Sequence, residues 1–232
     1  MPRANRHFLP NHVWHLTHRC HKQEFLLKFA RDRRRWRHWL FEARKRYGLC
    51  VLNYMATCNH VHLLVRDRGS GEIAKSMQLI AGRTAQAFNQ RKGRRGAFWE
   101  DRYHATAVDT ETYLARCMTY IDLNMVRAGV VNHPGQWPEC GYSEIQNPPT
   151  RYRVVDQATL LELFGLDCVT QLRQVCRNNV EVGLCSESHQ REPAWSESLA
   201  VGRAEFIAQI KARLGRRATH RECIDTEEGS VL

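Results

Sequence analysis

Two short apolar segments joined by a tight connection constrain this sequence more than any other feature. Residues 50–57 and 60–66 are each too short for a helix, and only Cys58 and Asn59 separate them. They therefore predict an antiparallel β-hairpin. A β-sheet is expected in the first half of the chain.

The segments around the hairpin give an alternating order of strands and helices. Apolar periodicity predicts a strand over His12–Thr17, helices over Phe25–Tyr47 and Glu72–Gln90, a strand over Tyr103–Val108, and a helix that Thr110 caps and that runs to Gly129. The order β-α-β-β-α-β-α contains the split β-α-β arrangement. The predicted fold class is α+β. It consists of a ferredoxin-like antiparallel sheet with two helices on one face, the other face free for a ligand, and a further helix that carries Tyr120.

The C-terminal third is predicted to form a small helical module. An irregular segment over residues 138–149 ends in Asn147-Pro-Pro149 and resembles a linker. Helical patches follow at Gln157–Phe164, with Asp156 as cap and Gly165 as stop, and at Arg203–Leu214. We therefore predict a main domain over residues 1–149, an accessory helical module over 150–215 and a disordered tail over 216–232.

Charge is distributed unevenly along the chain. The formal net charge is +11, and residues 150–232 contain 11 Lys and Arg against 12 Asp and Glu, which leaves 24 against 12 for residues 1–149. Basic surface attracts phosphate-bearing ligands, so we expect a polyanion to bind the first part. Two clusters are candidates for DNA contacts, although each alone could be a solvated helix face. They are Arg33, Arg34, Arg35 and Arg37, and Arg91, Lys92, Arg94 and Arg95.

Cysteine spacing and hydropathy exclude other classes of protein. The nine cysteines include no C-x-x-C pair of metal-finger spacing, so we expect reduced thiols. No stretch approaches the ~20 apolar residues of a membrane span, and no signal-like apolar region follows the basic start. We expect a cytoplasmic protein with no membrane partner.

The hairpin carries a motif that could hold a metal ion. His60 and His62 alternate with Val61 on a predicted strand, so both imidazoles project from one face, about 7 Å apart along the strand. Two imidazoles at this separation can converge on one ion. Two ordinary histidines on a half-exposed strand, or a metal site without catalysis, would give the same pattern.

The helix after the last strand adds a phenol and an amide. Tyr120 and Asn124 are four residues apart and lie on the same helix face, from which they could meet the two histidines. Neutral ligands leave a divalent ion its full charge and open positions, which suits a phosphodiester. Mg²⁺ or Mn²⁺ is favoured, although imidazoles would also accept Ni²⁺ or Zn²⁺. A phenol beside such a cation can act as a nucleophile, but a half-buried aromatic residue would show the same spacing.

These residues belong to longer motifs. The segments Cys58-Asn-His-Val-His-Leu-Leu-Val65 and Tyr120-Ile-Asp-Leu-Asn-Met-Val-Arg-Ala-Gly129 stand beside Phe98-Trp-Glu-Asp-Arg-Tyr103 and His133-Pro-Gly-Gln-Trp137. Together they resemble the HUH single-tyrosine transposases, specifically the REP-associated tyrosine transposases and their insertion-sequence relatives. The resemblance covers roughly residues 8–145.

The resemblance implies a reaction and assigns roles. It implies that His60, His62 and Asn124 bind a divalent metal ion and that Tyr120 is the nucleophile. The implied reaction is metal-dependent cleavage and strand transfer of single-stranded DNA beside hairpins of the REP type, through a 5′-phosphotyrosine. Relatives differ in whether the tyrosine helix is exchanged within a homodimer, and by analogy we expect a monomer.

Five further residues are candidates for contacts with DNA. Arg102 and Arg127 are the better ones and are expected to contact the DNA backbone, whereas Trp99 and Tyr103 could either stack on an unpaired base or pack in the core. His104 lies on the strand near the expected site, where it could touch phosphate or be structural.

Two other functions stay open. Another HUH nuclease, such as a plasmid relaxase or replication initiator, would use similar histidines, but the position of Tyr120 before Asn124 favours a transposase. A catalytically silent nucleic-acid-binding protein or repressor derived from a transposase would keep the basic clusters without cleavage.

Overall fold

The fold was obtained as a computed structural model that describes residues 9–186, 192–214, 224–226 and 229–231. Its strands are Val13–Arg19 (β1), Cys50–Ala56 (β2), His60–Arg66 (β3), His104–Val108 (β4), Ala200–Gly202 (β5), Ile224–Thr226 (β6) and Gly229–Val231 (β7). Its helices are Ala30–Tyr47 (α1), Glu72–Lys92 (α2), Thr112–Asp122 (α3), Asn124–Arg127 (α4), Gly141–Gln146 (α5), Gln157–Phe164 (α6), Val169–Cys185 (α7), Ala194–Glu197 (α8) and Ala204–Leu214 (α9). Single 3₁₀ turns occur at His21–Gln23 and Pro134–Gln136.

One sheet organises the chain, in the order β2-β3-β1-β4-β5-β7-β6. The first four strands are antiparallel, with Thr17 of β1 opposite His62 of β3 on one side and His104 of β4 on the other. β5 then adds in parallel to β4. The predicted α+β class and the β-α-β-β-α-β order with a following helix are confirmed.

Helices α1 and α2 cover one face of the sheet. Leu16, Leu63 and Tyr54 are register partners on neighbouring strands and are fully buried there. Trp36 of α1 reaches this face, with its ring centroid 6.2 Å from that of Tyr54. Because α1 also packs along α2, the two helices share the apolar layer that the sequence predicts.

The other face is largely covered, which corrects the expectation that it is free. Asn53 of β2 donates hydrogen bonds to the Asp122 carboxylate (2.9 Å) and the Met118 carbonyl (3.4 Å) of α3. At β1, the His15 ring contacts the Trp195 carbonyl of α8 at 2.7 Å. Between α3 and α8 a cleft remains, and the histidines of β3 open into it.

Two predicted helix boundaries are wrong. α1 begins at Ala30 rather than Phe25, because residues 25–28 form a turn whose carbonyls accept hydrogen bonds from the buried Arg33 guanidinium. Thr110 does not cap α3. The helix begins at Thr112, and the residue at its N-cap position is Glu111, which has a φ of 57°. The predicted single helix to Gly129 is interrupted at Leu123 and resumes as α4.

The C-terminal elements share the sheet and the core with the rest of the chain. The predicted irregular segment contains α5, whose Tyr142 and Ile145 are buried. The predicted α6 is confirmed, with the Asp156 carboxylate accepting from the Thr159 amide and Gly165 in the left-handed conformation. The sequence analysis missed α7, which buries only a narrow stripe, Leu172, Cys176 and Val180, at four-residue spacing.

Three remaining expectations concern the tail, the thiols and the membrane. Residues 216–232 are predicted to be disordered. Within them the structure describes β6 and β7, which pair with each other, and the remaining residues lie outside the described part of the chain. The eight cysteines in the described segments are free thiols, and Cys223 lies outside them. Within the same segments no helix combines the length and apolar character that crossing a bilayer requires.

Gly141 at the start of α5 tests the packing against β2. A Cβ there would lie 2.0 Å from Asn53 Oδ1 and 3.0 Å from the Tyr54 backbone nitrogen. Since Asn53 is fixed by its bonds to α3, we expect Gly141→Ala to lower the free energy of unfolding by about 1–3 kcal/mol. Gly82→Ala is the control, because no atom lies within 4 Å of its Cβ; it should leave stability unchanged or raise it. Urea unfolding measures the free energy of unfolding of both variants. An equal change in the two would contradict the close packing of Gly141 against β2.

Candidate functional site

The two histidines of β3 converge as their alternation predicts. His60 Nε2 and His62 Nε2 are 3.0 Å apart, and their rings meet edge to face with centroids at 4.8 Å. His62 is 2% exposed, whereas His60 at the end of the strand is partly exposed. The strand therefore presents two imidazole nitrogens to one point at the edge of the cleft.

The hairpin turn holds the His60 ring from behind. His60 Nδ1 lies 2.7 Å from Asn59 Oδ1 and 3.0 Å from Thr57 Oγ1. Thr57 Oγ1 also donates to the His60 carbonyl at 2.8 Å and accepts from the His60 amide at 3.1 Å. Because Asn59 Oδ1 can only accept, Nδ1 carries the proton and His60 Nε2 keeps its lone pair for the cleft.

Tyr120 and Asn124 reach the same point from the opposite wall. The Asn124 amide nitrogen is 3.0 Å from His62 Nε2. The Tyr120 ring stands edge-on to that of His62, with centroids 5.9 Å apart and an interplanar angle of 88°. Leu123, with φ −81° and ψ 1°, interrupts the helix between them. The Tyr120 and Asn124 side chains nevertheless both line the same cleft.

The donor set fits a divalent metal ion. Two adjacent ligands of an octahedral ion, each about 2.1 Å from it, lie about 3.0 Å apart, and this is the spacing found between His62 Nε2 and both of its neighbours. A 180° turn of the Asn124 amide would present its oxygen, the ligating atom, at the same place. In the described part of the chain no three His, Cys, Asp or Glu side chains are grouped so that they could hold a metal ion together. An ion at this point would have a third protein donor if the Asn124 side chain, 3.0 Å from His62 Nε2, joined the two histidines.

Burial keeps the inner histidines neutral. It lowers the pKa of His62 well below its ordinary value, and the nearby His60 and His15 rings add to the effect. Burial also lowers the pKa of His15 to about 3. A neutral imidazole can ligate a metal ion, whereas an imidazolium cannot.

The cleft is large enough for part of a nucleotide chain. Its volume is about 340 Å³, and its lining includes His60, His62, Tyr120, Asn124, Arg19 and Arg127. The Arg127 guanidinium carbon lies 4.2 Å from the Tyr120 ring centroid, and Nη2 donates to the Tyr120 carbonyl at 2.6 Å. Two arginines thus flank the phenol and the histidines.

Of the two predicted basic clusters, only part is available for DNA. Arg33 is 7% exposed, donates to backbone carbonyls and stacks over Trp137, so its predicted DNA contact is corrected to a structural role. Arg37 pairs with Glu139 at 3.3 Å. Arg91 likewise pairs with the buried Asp32, at 2.5 Å. Arg34 and Arg35 are exposed and, with the unpredicted Arg31 and the Asp32–Arg91 pair, line a cleft of about 560 Å³ beside α1 and α2.

The rest of the second cluster is more open. Lys92 and Arg95 are exposed, and Lys92 lies 5.6 Å from the Phe29 ring centroid. Arg94 is held by Asn89 and the Ala97 carbonyl. Arg102 is exposed beside a separate cavity of about 510 Å³.

The three weaker aromatic and imidazole candidates are engaged within the protein. Tyr103 is 4% exposed, which favours its packing role. Trp99 stacks on His18 at 4.1 Å and donates to the Ala81 carbonyl. His104 Nε2 contacts the Ser198 carbonyl at 2.8 Å, which joins β4 to the C-terminal segment.

The sequence analysis missed His15 and Trp195. His15 Nε2 is 2.9 Å from His62 Nδ1, and the Trp195 ring centroid lies 6.2 Å from that of Tyr120. The alternation His15-Leu16-Thr17 on a strand was the available signal, because it places both polar side chains on the His62 face. Nothing in the sequence joined Trp195 to a residue so distant along the chain.

Comparison with known proteins gives one family and two similar structures. The family described as transposase, IS200 like, matches residues 9–124, half of the chain, including all four converging residues. A solved structure of a REP-associated tyrosine transposase bound to a REP hairpin is 16% identical, with a TM-score of 0.53 over 67% of this chain and 94% of that one. A provisionally assigned transposase from Deinococcus radiodurans R1 is 18% identical over 51% of this chain and 95% of that one, and its TM-score of 0.38 is too low to define a shared fold. No curated protein matches significantly.

The neutral His15 predicts acid sensitivity of the metal-free protein. The unfolded chain binds a proton at this residue near pH 6.5, while the folded protein binds it only near pH 3. Stability is therefore lost as the pH falls from 6.5 towards 3, by about 1.4 kcal/mol per pH unit for this one group. We measure the free energy of unfolding by urea at several pH values between 6.5 and 3. In His15→Gln it should fall with decreasing pH by about 1.4 kcal/mol per pH unit less than in the wild type. Parallel pH profiles of the two proteins would contradict the burial of a neutral His15.

Proposed function

The chain belongs to the IS200-like transposase family, and from this premise we propose that it cleaves and rejoins single-stranded DNA through Tyr120. The proposal is carried by one observation: a phenol, two imidazoles with converging nitrogens and an amide line one cleft flanked by arginines. Among the residues that the structure describes, no carboxylate lines that cleft, so an anionic phosphodiester would meet neutral and cationic groups there.

A divalent ion would complete the site. His60, His62 and Asn124 would hold it, and Mg²⁺ or Mn²⁺ suits the mixed nitrogen and oxygen donors together with phosphate oxygens. When bound, the ion would supply Lewis-acid polarisation of the phosphate and charge stabilisation of the departing oxygen. Three neutral ligands would leave its charge available for that task.

The protein's own residues supply the nucleophile and its activation. The Tyr120 phenol loses its proton to water, and its oxygen attacks phosphorus as the bond from phosphorus to the 3′-oxygen breaks. That oxygen takes up a proton, which leaves a 3′-hydroxyl and a 5′-phosphotyrosine. The Arg127 guanidinium over the ring favours the phenolate. Attack by another 3′-hydroxyl reverses the step, restores the phenol and joins the strands.

The DNA would extend beyond the catalytic cleft to the basic one. The two lie on opposite faces of the sheet, and the segment between β1 and α1 passes from one to the other. Its Gln23 lines the catalytic cleft, and Phe25 and Phe29 are 66% and 54% exposed. Exposed rings beside basic side chains suit unpaired bases on a single strand.

We propose a DNA hairpin as the recognised element. The similar structure described as bound to a REP hairpin supports this choice. The α1–α2 cleft, with the exposed Arg31, Arg34 and Arg35, offers positive charge for the duplex stem, while Arg91 in the same cleft is paired with Asp32. We propose a monomer as the active form.

Replacement of the phenol tests the chemistry. With Mn²⁺ and a hairpin DNA labelled at its 3′ end, the wild-type protein should acquire the label in a band that survives denaturing electrophoresis. A label at the 5′ end should instead be released on a fragment with a 3′-hydroxyl. Tyr120→Phe should abolish the adduct because it lacks the attacking oxygen, while its hairpin affinity should stay within about twofold.

Tyr113→Phe is the matched control. Tyr113 lies two turns earlier on the same helix and is partly buried, and it does not line the cleft. It should form the adduct at the wild-type rate. An adduct in Tyr120→Phe would overturn the assignment. If the wild-type protein binds hairpins tightly without ever forming an adduct, the protein is a silent binder derived from a transposase.

Charge reversal tests the basic cleft. We expect Arg34→Glu with Arg35→Glu to weaken hairpin binding at least tenfold and to reduce the slope of log affinity against log salt by about 1.8, for two lost phosphate contacts on the duplex stem. Both residues are exposed, so the melting temperature should not change. Arg213→Glu, on the exposed surface of α9, is the control and should bind as the wild type does. An equal loss of hairpin affinity in Arg213→Glu would show that binding depends on the net charge of the protein and not on the basic cleft.

A further inference from the structure

His15 contacts a predicted metal ligand but lies behind it, away from the cleft. Its ring is fully buried on β1, stacked against His62 with centroids 5.1 Å apart and an interplanar angle of 14°. His15 Nδ1 is 2.7 Å from the Trp195 carbonyl oxygen, and His15 Nε2 is 2.9 Å from His62 Nδ1. The three groups form a continuous chain of hydrogen bonds.

The direction of each bond in this chain follows from its first member. A carbonyl oxygen can only accept, so His15 Nδ1 carries a proton and donates it. A neutral imidazole has one N–H, so His15 Nε2 is then an acceptor. The bond between the two rings must therefore be donated by His62 Nδ1, which leaves a lone pair on His62 Nε2.

The neutral state of His15 is supported by its surroundings. Its ring contacts include the Trp195 carbonyl, the His62 ring and the Tyr120 ring, and none of these three groups is a carboxylate that would stabilise an imidazolium. A buried cation without such a partner is strongly disfavoured.

We propose that His15 is a positioning residue of the proposed metal site. It accepts a hydrogen bond from the Nδ1–H of His62 and so keeps the Nε2 lone pair of His62 directed at the ion. The inference rests on the proposed function, because it gives His62 a ligating role. Asn59 Oδ1 does the same for His60 at 2.7 Å. Each ligand thus has its own acceptor behind it, a pattern that orients metal-bound histidines and raises their basicity.

The last acceptor in this chain of hydrogen bonds, the Trp195 carbonyl, belongs to the C-terminal segment. The Trp195 carbonyl also accepts from Thr106 Oγ1 at 3.3 Å, and Thr106 is the register partner of His15 on β4. Thr106 Oγ1 further contacts the Ser198 carbonyl at 2.8 Å. The segment around α8 is therefore fixed to the sheet at the position where it orients His62.

The tautomer of His62 can be measured directly in the metal-free protein. Long-range proton–nitrogen correlation spectra of ¹⁵N-histidine-labelled protein distinguish an Nδ1–H ring from an Nε2–H ring, and the His62 signals are assigned by their loss in His62→Gln. We expect the Nδ1–H form in the wild type. Finding His62 in the Nε2–H form would overturn the inference, whatever the variants do.

Two substitutions of His15 separate positioning from packing. His15→Leu fills space without an acceptor, so His62 should populate both tautomers and Mn²⁺ affinity, followed by the free-ion paramagnetic resonance signal, should fall about 10- to 100-fold. His15→Gln places an amide oxygen near the former Nε2 and should restore the Nδ1–H form and most of the affinity. A His15→Leu protein that keeps the Nδ1–H form and wild-type affinity would show that His15 only fills space.

These measurements also separate this inference from the proposed function. The tautomer is read without metal or DNA, so it stands or falls by itself. If the wild-type protein binds no Mn²⁺ but shows the Nδ1–H form, the metal-dependent reaction fails while the orientation of His62 is upheld. If Mn²⁺ binds equally to the wild type, His15→Leu and His15→Gln, the reaction survives and the positioning role fails.

Discussion

The hydrogen bond between His15 and His62 is the contact on which the candidate site depends. It joins neighbouring strands β1 and β3 within the sheet, and both rings are almost completely buried. Buried polar groups are tolerated only when they are hydrogen-bonded. The two rings therefore require the sheet register that sets Thr17 opposite His62, and they require the Trp195 carbonyl, which accepts a hydrogen bond from His15 Nδ1. Sheet, site and C-terminal segment are thus parts of one arrangement.

The same structure concentrates positive charge on the surface. Of the twelve acidic residues in positions 1–149, seven are buried. They serve as internal anchors: Glu144 accepts from Tyr54 and two backbone amides, Asp109 pairs with Arg203, and Asp122 holds Asn53. Exposed charges act on a ligand more strongly than buried ones, so exposed basic side chains such as Arg34 and Arg35 dominate the attraction that this part of the surface would exert on a polyanion. Among the described residues, none of these carboxylates lines the candidate catalytic cleft.

The sequence predicts those parts of the molecule that local periodicity encodes. The β3 hairpin and the spacing of Tyr120 and Asn124 are local, so the strand, the helix face and their four residues could be predicted together. His15 could not be assigned in the same way, since one histidine on a strand reveals nothing about which carbonyl lies behind it. Arg33 shows the converse error: within a run of arginines, only the turn before α1 distinguishes the buried side chain from its exposed neighbours Arg34 and Arg35.

The placement of α3 also bears on how the proposed nucleophile and the proposed third ligand would act together. Tyr120 precedes Asn124 by four residues, so the two side chains are carried by one short stretch of chain. That stretch is fixed from three sides: Asn53 binds Asp122, Gly183 of α7 faces Leu123 and Thr119, and Trp195 lies against Tyr120. Exchange of the helix between two copies of the chain would have to break all three contacts. The packing therefore supports the proposal that Tyr120 serves the histidines of its own chain.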